Sequence, residues 1–364
     1  MNADDVSAWS ALADRALDPN PFFRPEFVIP NARERSVPVE LLVVRDGRVW
    51  LACLPVRRRS RLPQLPFRTI EALTDEYSFL GIPLVDRDRA AEAADGIIDV
   101  VRRTRTADAF VLGVWPPDSP VAVEIDAAAR RGGAPPLVLG ATRRAAWHRS
   151  PEGRSAGSRH PGDDRRKLAS RARSLAKAVG GPVRVVDRSN DPAAWDAFLA
   201  MENSGWKAAR GNPLAADPGD ASFFRWMAAA MARIGRFELL ALEGGGRTIA
   251  MESHLVEPTA LYSFKIAYDP QYRRFAPGTQ LKSFVIDGLH DRGFQLADSC
   301  ASPTNAHMNR LWPGKRPIQT LLIPTSSQGA HLVPLFVTAR SRVRRVRDVV
   351  AKRPVRAAAG DTAT

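Results

Sequence analysis

The chain has 364 residues, 45% of them hydrophobic, and a formal net charge of +14. That length allows two domains, and the longest apolar runs stop short of the roughly 20 residues that span a bilayer. The two cysteines, Cys53 and Cys300, lie far apart without C-x-x-C spacing, which argues against a disulfide framework or a metal site and suits a reducing cytoplasm.

The N-terminus is acidic and lacks an apolar signal core, so no signal peptide is expected. The positive charge clusters in residues 57–61, 154–177 and 338–364, the last with eight basic against two acidic residues. None of these segments interleaves aromatics for base stacking, so no DNA partner is expected. Solvated helix faces and a frayed tail explain the charge, with a weak hold on anionic lipid or on a phosphate-bearing substrate as the alternative. The expected location is therefore cytoplasmic, with peripheral contact at the inner membrane through the tail.

In chain order, an amphipathic helix over 5–17 leads into the turn-rich DPNPFFRPEF and a hairpin over 39–56, turned at Asp46-Gly47. An extended segment, FRTIEALTDEYSFLGIPLV, precedes a helix over 89–104, the strand DAFVLGVW, a helix over 121–131 and the strand PLVLG. Residues 149–162 are rich in Gly, Ser and Pro and read as a linker. Beyond a basic helix over 163–179 come the strand PVRVVD, helices over 192–202 and 221–234, and a second hairpin, FELLALEGGGRTIAMESHL. The strand ALYSFKIAYD, the loop PQYRRFAPG, a helix over 279–291, the strand FQLADSC, a loop and the strand PIQTLLI complete the plan. The first hairpin, VELLVVRDGRVWLACLPV, shares with the second its opening Glu-Leu-Leu, its glycine turn and its resumption at an arginine. Two copies of one mixed α/β unit are thus expected: 1–148, a linker at 149–162, 163–337, and a basic, partly disordered tail at 338–364.

The segments FLAMENSGWKAARGNPLAADP, FFRWMAAAMARIGRFELLALEGGGRTIAMESHL and LYSFKIAYDPQYRRFAPGTQL resemble the CelD/BcsL-type acetyltransferases of cellulose and exopolysaccharide biosynthesis. These are tandem Gcn5-related N-acetyltransferase (GNAT) domains, related in architecture to the Fem-type peptidoglycan aminoacyl transferases. The resemblance implies two GNAT-like domains, each a mixed, mostly antiparallel sheet flanked by helices, with the first degenerate and free of cofactor. It implies acetyl-CoA or another acyl-CoA as co-substrate and a sugar, polysaccharide precursor or amine as acceptor. The Fem-type relatives raise aminoacyl-tRNA as the alternative donor, and a non-catalytic double-GNAT binding protein is the runner-up.

The resemblance also distributes roles. Arg273, Ala276 and Gly278 take the places of the GNAT phosphate loop, with Arg274 and Thr279 beside them, at a helix N-terminus that favours an anion. Ala276 and Pro277 depart from the glycine pattern and make a poorer cradle. The backbone around Ile266 would hold the thioester carbonyl, and Tyr268, or Tyr272 as second choice, would protonate the leaving thiolate. Glu252 and His254 share a strand face by period two and are candidate bases, or equally a solvent-facing pair. Lys265 sits in an apolar strand and must reach an edge or an anion; the resemblance favours contact with substrate or phosphate, with Asp298, also a substrate-side candidate, as a partner. Trp206, Lys207 and His307 would contact the acceptor. A thiol site of Cys300, His307 and Asp298 is the competing chemistry, set against a cysteine that merely packs.

Overall fold

The computed structural model describes residues 2–59, 65–150, 157–158, 164–204 and 214–351, with side chains in the last helix followed to Arg342. The first half runs α1 (Ala3–Asp14), α2 (Pro25–Glu34), β1 (Glu40–Asp46), β2 (Val49–Arg59), β3 (Thr69–Ala72), β4 (Leu84–Val85), α3 (Ala90–Arg103), β5 (Ala109–Trp115), α4 (Pro120–Arg131) and β6 (Leu137–His148). The second runs α5 (Asp164–Ala178), β7 (Val183–Asp187), α6 (Pro192–Ser204), α7 (Pro218–Arg233), β8 (Phe237–Gly244), β9 (Arg247–Glu257), β10 (Ala260–Tyr268), α8 (Pro277–Gly288), β11 (Leu296–Asp298), α9 (Ala306–Leu311), β12 (Gly314–Pro324) and α10 (Ser327–Ala351).

Both hairpins form where the turn glycines allow them. Gly47 sits at φ 57° and Gly245 and Gly246 at 57° and 72°, a region that lacks penalty only without a Cβ. Each hairpin is followed by a strand that pairs parallel to a later one, β3 with β5 and β10 with β11. The two halves nevertheless share one mixed sheet, in the order β1-β2-β3-β5-β12-β6-β11-β10-β9-β8-β7, with β4 beside β2. Their closing strands are exchanged: β12 of the second half lies between β5 and β6, and β6 of the first half pairs with β11. Neither half closes its sheet without the other.

Period-two alternation assigns the faces. Along β9, Met251 and Leu255 enter the larger core with Phe223, Phe264 and Tyr262. Ala250 faces the second core, and a bulge in the β8–β9 register at Ile249 turns that residue to the same side; this core packs under α5 and α8 through Leu175, Leu281, Val285 and Ile286. Four elements exceed the sequence reading. The turn-rich stretch near residue 25 forms α2, started by Pro25 at its first position and held by burial of Phe27, Val28 and Asn31. β6 continues eight residues past its apolar run, to His148, because β12 and β11 give it partners on both edges. The loop after β11 contains α9, and residues 338–351, read from sequence as the start of the tail, continue α10.

Candidate active site

The parallel pairing of β10 with β11 runs from Ala260–Leu296 to Tyr262–Asp298 and stops there, while β10 continues to Tyr268 against β9 alone. A cavity of about 550 Å³ opens beside this divergence. Ile266, Tyr268, Arg273, Ala276, Gly278 and Thr279 line one side, His307 and Asn305 the other, and Lys282 also lines it. The expected donor-loop residues thus meet around one space, except Arg274, which stacks its guanidinium 4.7 Å from the Phe275 ring.

Local chemistry builds the mouth. Asp269 accepts from the Gln271 N–H and starts a 3₁₀ turn over Pro270–Phe275. Ala276 then turns the chain at φ 53° and caps α8, whose first residue is Pro277. A Cβ added at Gly278 would stand 3.5 Å from the side chains of both Ile266 and Tyr268. The absent side chain therefore leaves room between the helix start and the central strand, where the helix dipole favours negative charge. Pro277 supplies no N–H, so the cradle has fewer donors than a glycine loop.

Lys282 was not foreseen. It lies one turn into α8, only 3% exposed, on the buried stripe that also holds Leu281, Val285 and Ile286. Its ammonium donates to Glu252 Oε1 and to Ser263 Oγ, the latter at 3.2 Å. Behind Glu252 stands His254, with Nε2 2.9 Å from Glu252 Oε1 and Nδ1 3.0 Å from Glu238 Oε1. Both ring nitrogens lack an aligned hydrogen-bond partner, so we read these as close ionic contacts off the N–H directions. Arg292 pairs with Glu238 at the surface. Charges of alternating sign therefore run from the surface to the cavity: Arg292, Glu238, His254, Glu252, Lys282.

The titration of this line follows from its packing. Burial alone would raise the Glu252 carboxyl, but the Lys282 and His254 cations outweigh it and bring it down to about 2. Burial alone would lower His254, and the Glu252 and Glu238 carboxylates reverse that, raising its pKa. Glu238 is lowered, since His254 and then Arg292 overcome the burial that would raise it.

The remaining expectations divide. Glu252 and His254 do share a face, but it is the covered one: both are 0% exposed, and neither lines the cavity. They are not a solvent-facing pair, and Lys282 is what the cavity meets. Tyr272 is buried and accepts from Arg247 at 3.1 Å, outside the cavity lining. Lys265 does not meet Asp298; its Nζ lies 4.5 Å over the Tyr77 ring. Asp298 instead accepts from Arg144 at 2.7 Å and from Arg316 at 3.0 Å, which two guanidinium groups on neighbouring strands reach first. Burial, then the adjacent Asp298 carboxylate, push the Cys300 thiol well up, which disfavours the thiolate a nucleophile requires. Cys300 also lines a different cavity from His307. Trp206 and Lys207 lie outside the described residues. Among the described residues no group of three or more side chains could hold a metal, and no helix is long and apolar enough to cross a membrane.

Residues 163–306 match the family model described as an acetyltransferase (GNAT) domain, the segment that contains α8, its loop and the Lys282 line. Among curated proteins none matches the sequence. The whole fold is similar to the C-terminal domain of a putative lysylphosphatidylglycerol synthetase from Agrobacterium fabrum, at 12% identity over 93% of this chain and 96% of that one, TM-score 0.53. It is likewise similar to L-PGS from Bacillus licheniformis (11%, 94% and 97%, 0.52) and to FemX (11%, 93% and 99%, 0.51). At such identities the likeness shows the fold, over almost the full length of both partners. The match over residues 163–306 points to a GNAT-type acetyltransferase domain in the second half, and this supports an acyltransferase.

Proposed function

We propose that the chain transfers an acyl group from an acyl-CoA bound at the α8 cavity to an amine or hydroxyl of a sugar, polysaccharide precursor or amine. The observation that carries this is the cavity itself, placed where β10 and β11 part and bounded by a helix N-terminus, Arg273 and the buried Lys282. The residues fit the donor: the space left by Gly278 admits a phosphate near the helix start, and Arg273 supplies a cation at the rim. Acyl-CoA supplies a thioester whose carbonyl carbon the acceptor attacks.

Lys282 donates to Glu252 and Ser263 and lines the cavity, where its side chain stabilises negative charge developing on the reacting carbonyl oxygen. Tyr268 is positioned to give a proton to the departing sulfur. The first half is expected to wall the acceptor side, which its shared sheet permits. The exopolysaccharide setting rests on the sequence resemblance alone.

A second reading, aminoacyl-tRNA as donor, is favoured by one feature. Arg165, Arg166, Lys167, Arg171 and Arg173 are exposed along α5, which packs against the turn that carries Arg273 and Arg274. The experiment titrates acetyl-CoA and deacylated tRNA into the protein, each alone and then acetyl-CoA in the presence of tRNA. Saturable acetyl-CoA binding that tRNA does not displace supports the first reading; tRNA binding without acetyl-CoA binding replaces it with the second.

A further inference from the structure

A second cavity, of about 580 Å³, lies between the halves; Phe79, Thr142, Arg144, Cys300 and Ser302 contribute to its walls. Its position on the sheet is fixed by register. Ala145, Trp147 and Ala297 pack into the core under α8, so Arg144, Ala146 and Asp298 take the opposite face. The loop after β11 walls both spaces, with Cys300 to Pro303 on this cavity and Asn305 to Met308 on the other. The two cavities thus flank the place where β10 leaves β11.

The wall carries an unbalanced charge. Arg144 and Arg316 are direct cross-strand neighbours, 4% and 6% exposed, and both donate to the same oxygen of Asp298. The other oxygen of Asp298 accepts the Cys300 N–H at 3.0 Å. Arg144 also donates to the Phe79 carbonyl at 2.8 Å, while its Nε is buried without a partner. Two guanidinium groups on one carboxylate leave one positive charge in excess, and a buried charge without a counter-ion is costly. Among the described residues, the other carboxylates near this wall do not supply it locally. Asp75 lines the cavity but is held by Arg35 at 2.9 Å and accepts the Tyr77 and Ser78 N–H groups. Asp118, which acts on Arg316 through space, is exposed. Thr142 and Thr320 also line the walls, as does Ser302, whose hydroxyl is already engaged by Thr304.

We propose that this cavity is the acceptor site and that Arg144, backed by Arg316, receives an oxyanion, a carboxylate or phosphate, carried by the acceptor. The proposal rests on the acyltransferase reading, because it is the position opposite the donor cavity that makes the ligand an acceptor. Its charge argument stands on the residues alone, so the test separates the two.

Glucose, glucose 6-phosphate and glucuronate are titrated by calorimetry into the full chain without donor, and acetyl-CoA is titrated in parallel. At least one anionic sugar is expected to bind about tenfold or more tighter than glucose, and which of the two does so distinguishes phosphate from carboxylate. Arg144→Gln should abolish the preference. Because that change also removes the Phe79 link, Thr142→Glu is the second variant: it sets a carboxylate on an exposed stretch of the wall and should weaken the anion about tenfold, while Thr142→Gln retains it. Equal binding of neutral and anionic sugars, no binding of any, or a Thr142→Glu protein that binds the anion like wild type overturns the proposal. Acetyl-CoA binding in the same variants reports the donor reading independently.

Discussion

The helices α3 and α8 occupy comparable places in the two halves, each lying in sequence between two strands that pair parallel, β3 and β5 or β10 and β11, yet they bury different chemistry. The inner stripe of α3 is Ala93, Ala94, Ile97, Ile98 and Val101, all apolar; α8 places Lys282 among Leu281, Val285 and Ile286. The strands beneath differ in the same sense. β2 is apolar from Trp50 to Val56, whereas β9 carries Glu252 and His254 at 0% exposure. The two helices also differ at one glycine each: a Cβ on Gly96 of α3 would lie 2.5 Å from Val44, while one on Gly278 of α8 would meet only ordinary contacts at 3.5 Å. One scaffold therefore appears once filled with hydrocarbon and once with a line of buried charges beside a cavity. Apolar packing shows that the fold does not require the charges, so their presence in the second half points to function.

Lys282→Met should show the largest effect, because it makes α8 resemble α3 while leaving Glu252 buried without its cation. Stability should fall by about 3–5 kcal/mol in chemical denaturation, and turnover should fall about 10²-fold or more. The double change Lys282→Met with Glu252→Leu should recover most of the stability and none of the turnover. Recovery of both would reduce the charge line to a structural device.

The pH response comes next, and its two limbs have opposite signs. Glu252 is held down at about 2, so it stabilises the fold above its unfolded value near 4.3 and loses that contribution as pH falls toward 2. His254 is held above its usual value, so its contribution is complete below about 6.5 and disappears as pH rises through the raised value. Denaturation midpoints of wild type should decline on the alkaline side, and His254→Gln should flatten that limb. An unchanged alkaline limb in the variant would place the titrating group elsewhere.

The smallest effect concerns Ala276, held at φ 53° where α8 begins. Left-handed backbone costs a non-glycine residue roughly 1–2 kcal/mol, so Ala276→Gly should stabilise the protein by about 1 kcal/mol in thermal denaturation. A loss of stability would mean that the alanine methyl packs more favourably than the backbone strain it tolerates.

The hairpins, most strands and the α8 loop were legible because each is written locally: turn glycines, alternating apolar residues, and Arg273, Ala276 and Gly278 ahead of a helical run. Lys282 was legible in principle, as a lysine on the stripe of Leu281, Val285 and Ile286, but its anionic partner Glu252 lies thirty residues away on β9. Arg144 and Arg316 were not. They lie where β6 and β12 leave their apolar runs, and only the exchange of those strands between halves brings them to Asp298. The same exchange explains why Lys265 and Asp298, which look like partners along the sequence, are not.

The central claim is that the space between Gly278, Ile266 and Tyr268 receives the acyl donor. Calorimetric titration of acetyl-CoA into wild type and Gly278→Val tests it most directly. Saturable binding by wild type, weakened about 100-fold in a variant whose thermal midpoint is essentially unchanged, is the predicted result. Equal affinity in the two proteins would contradict it, and would move the donor site away from the start of α8.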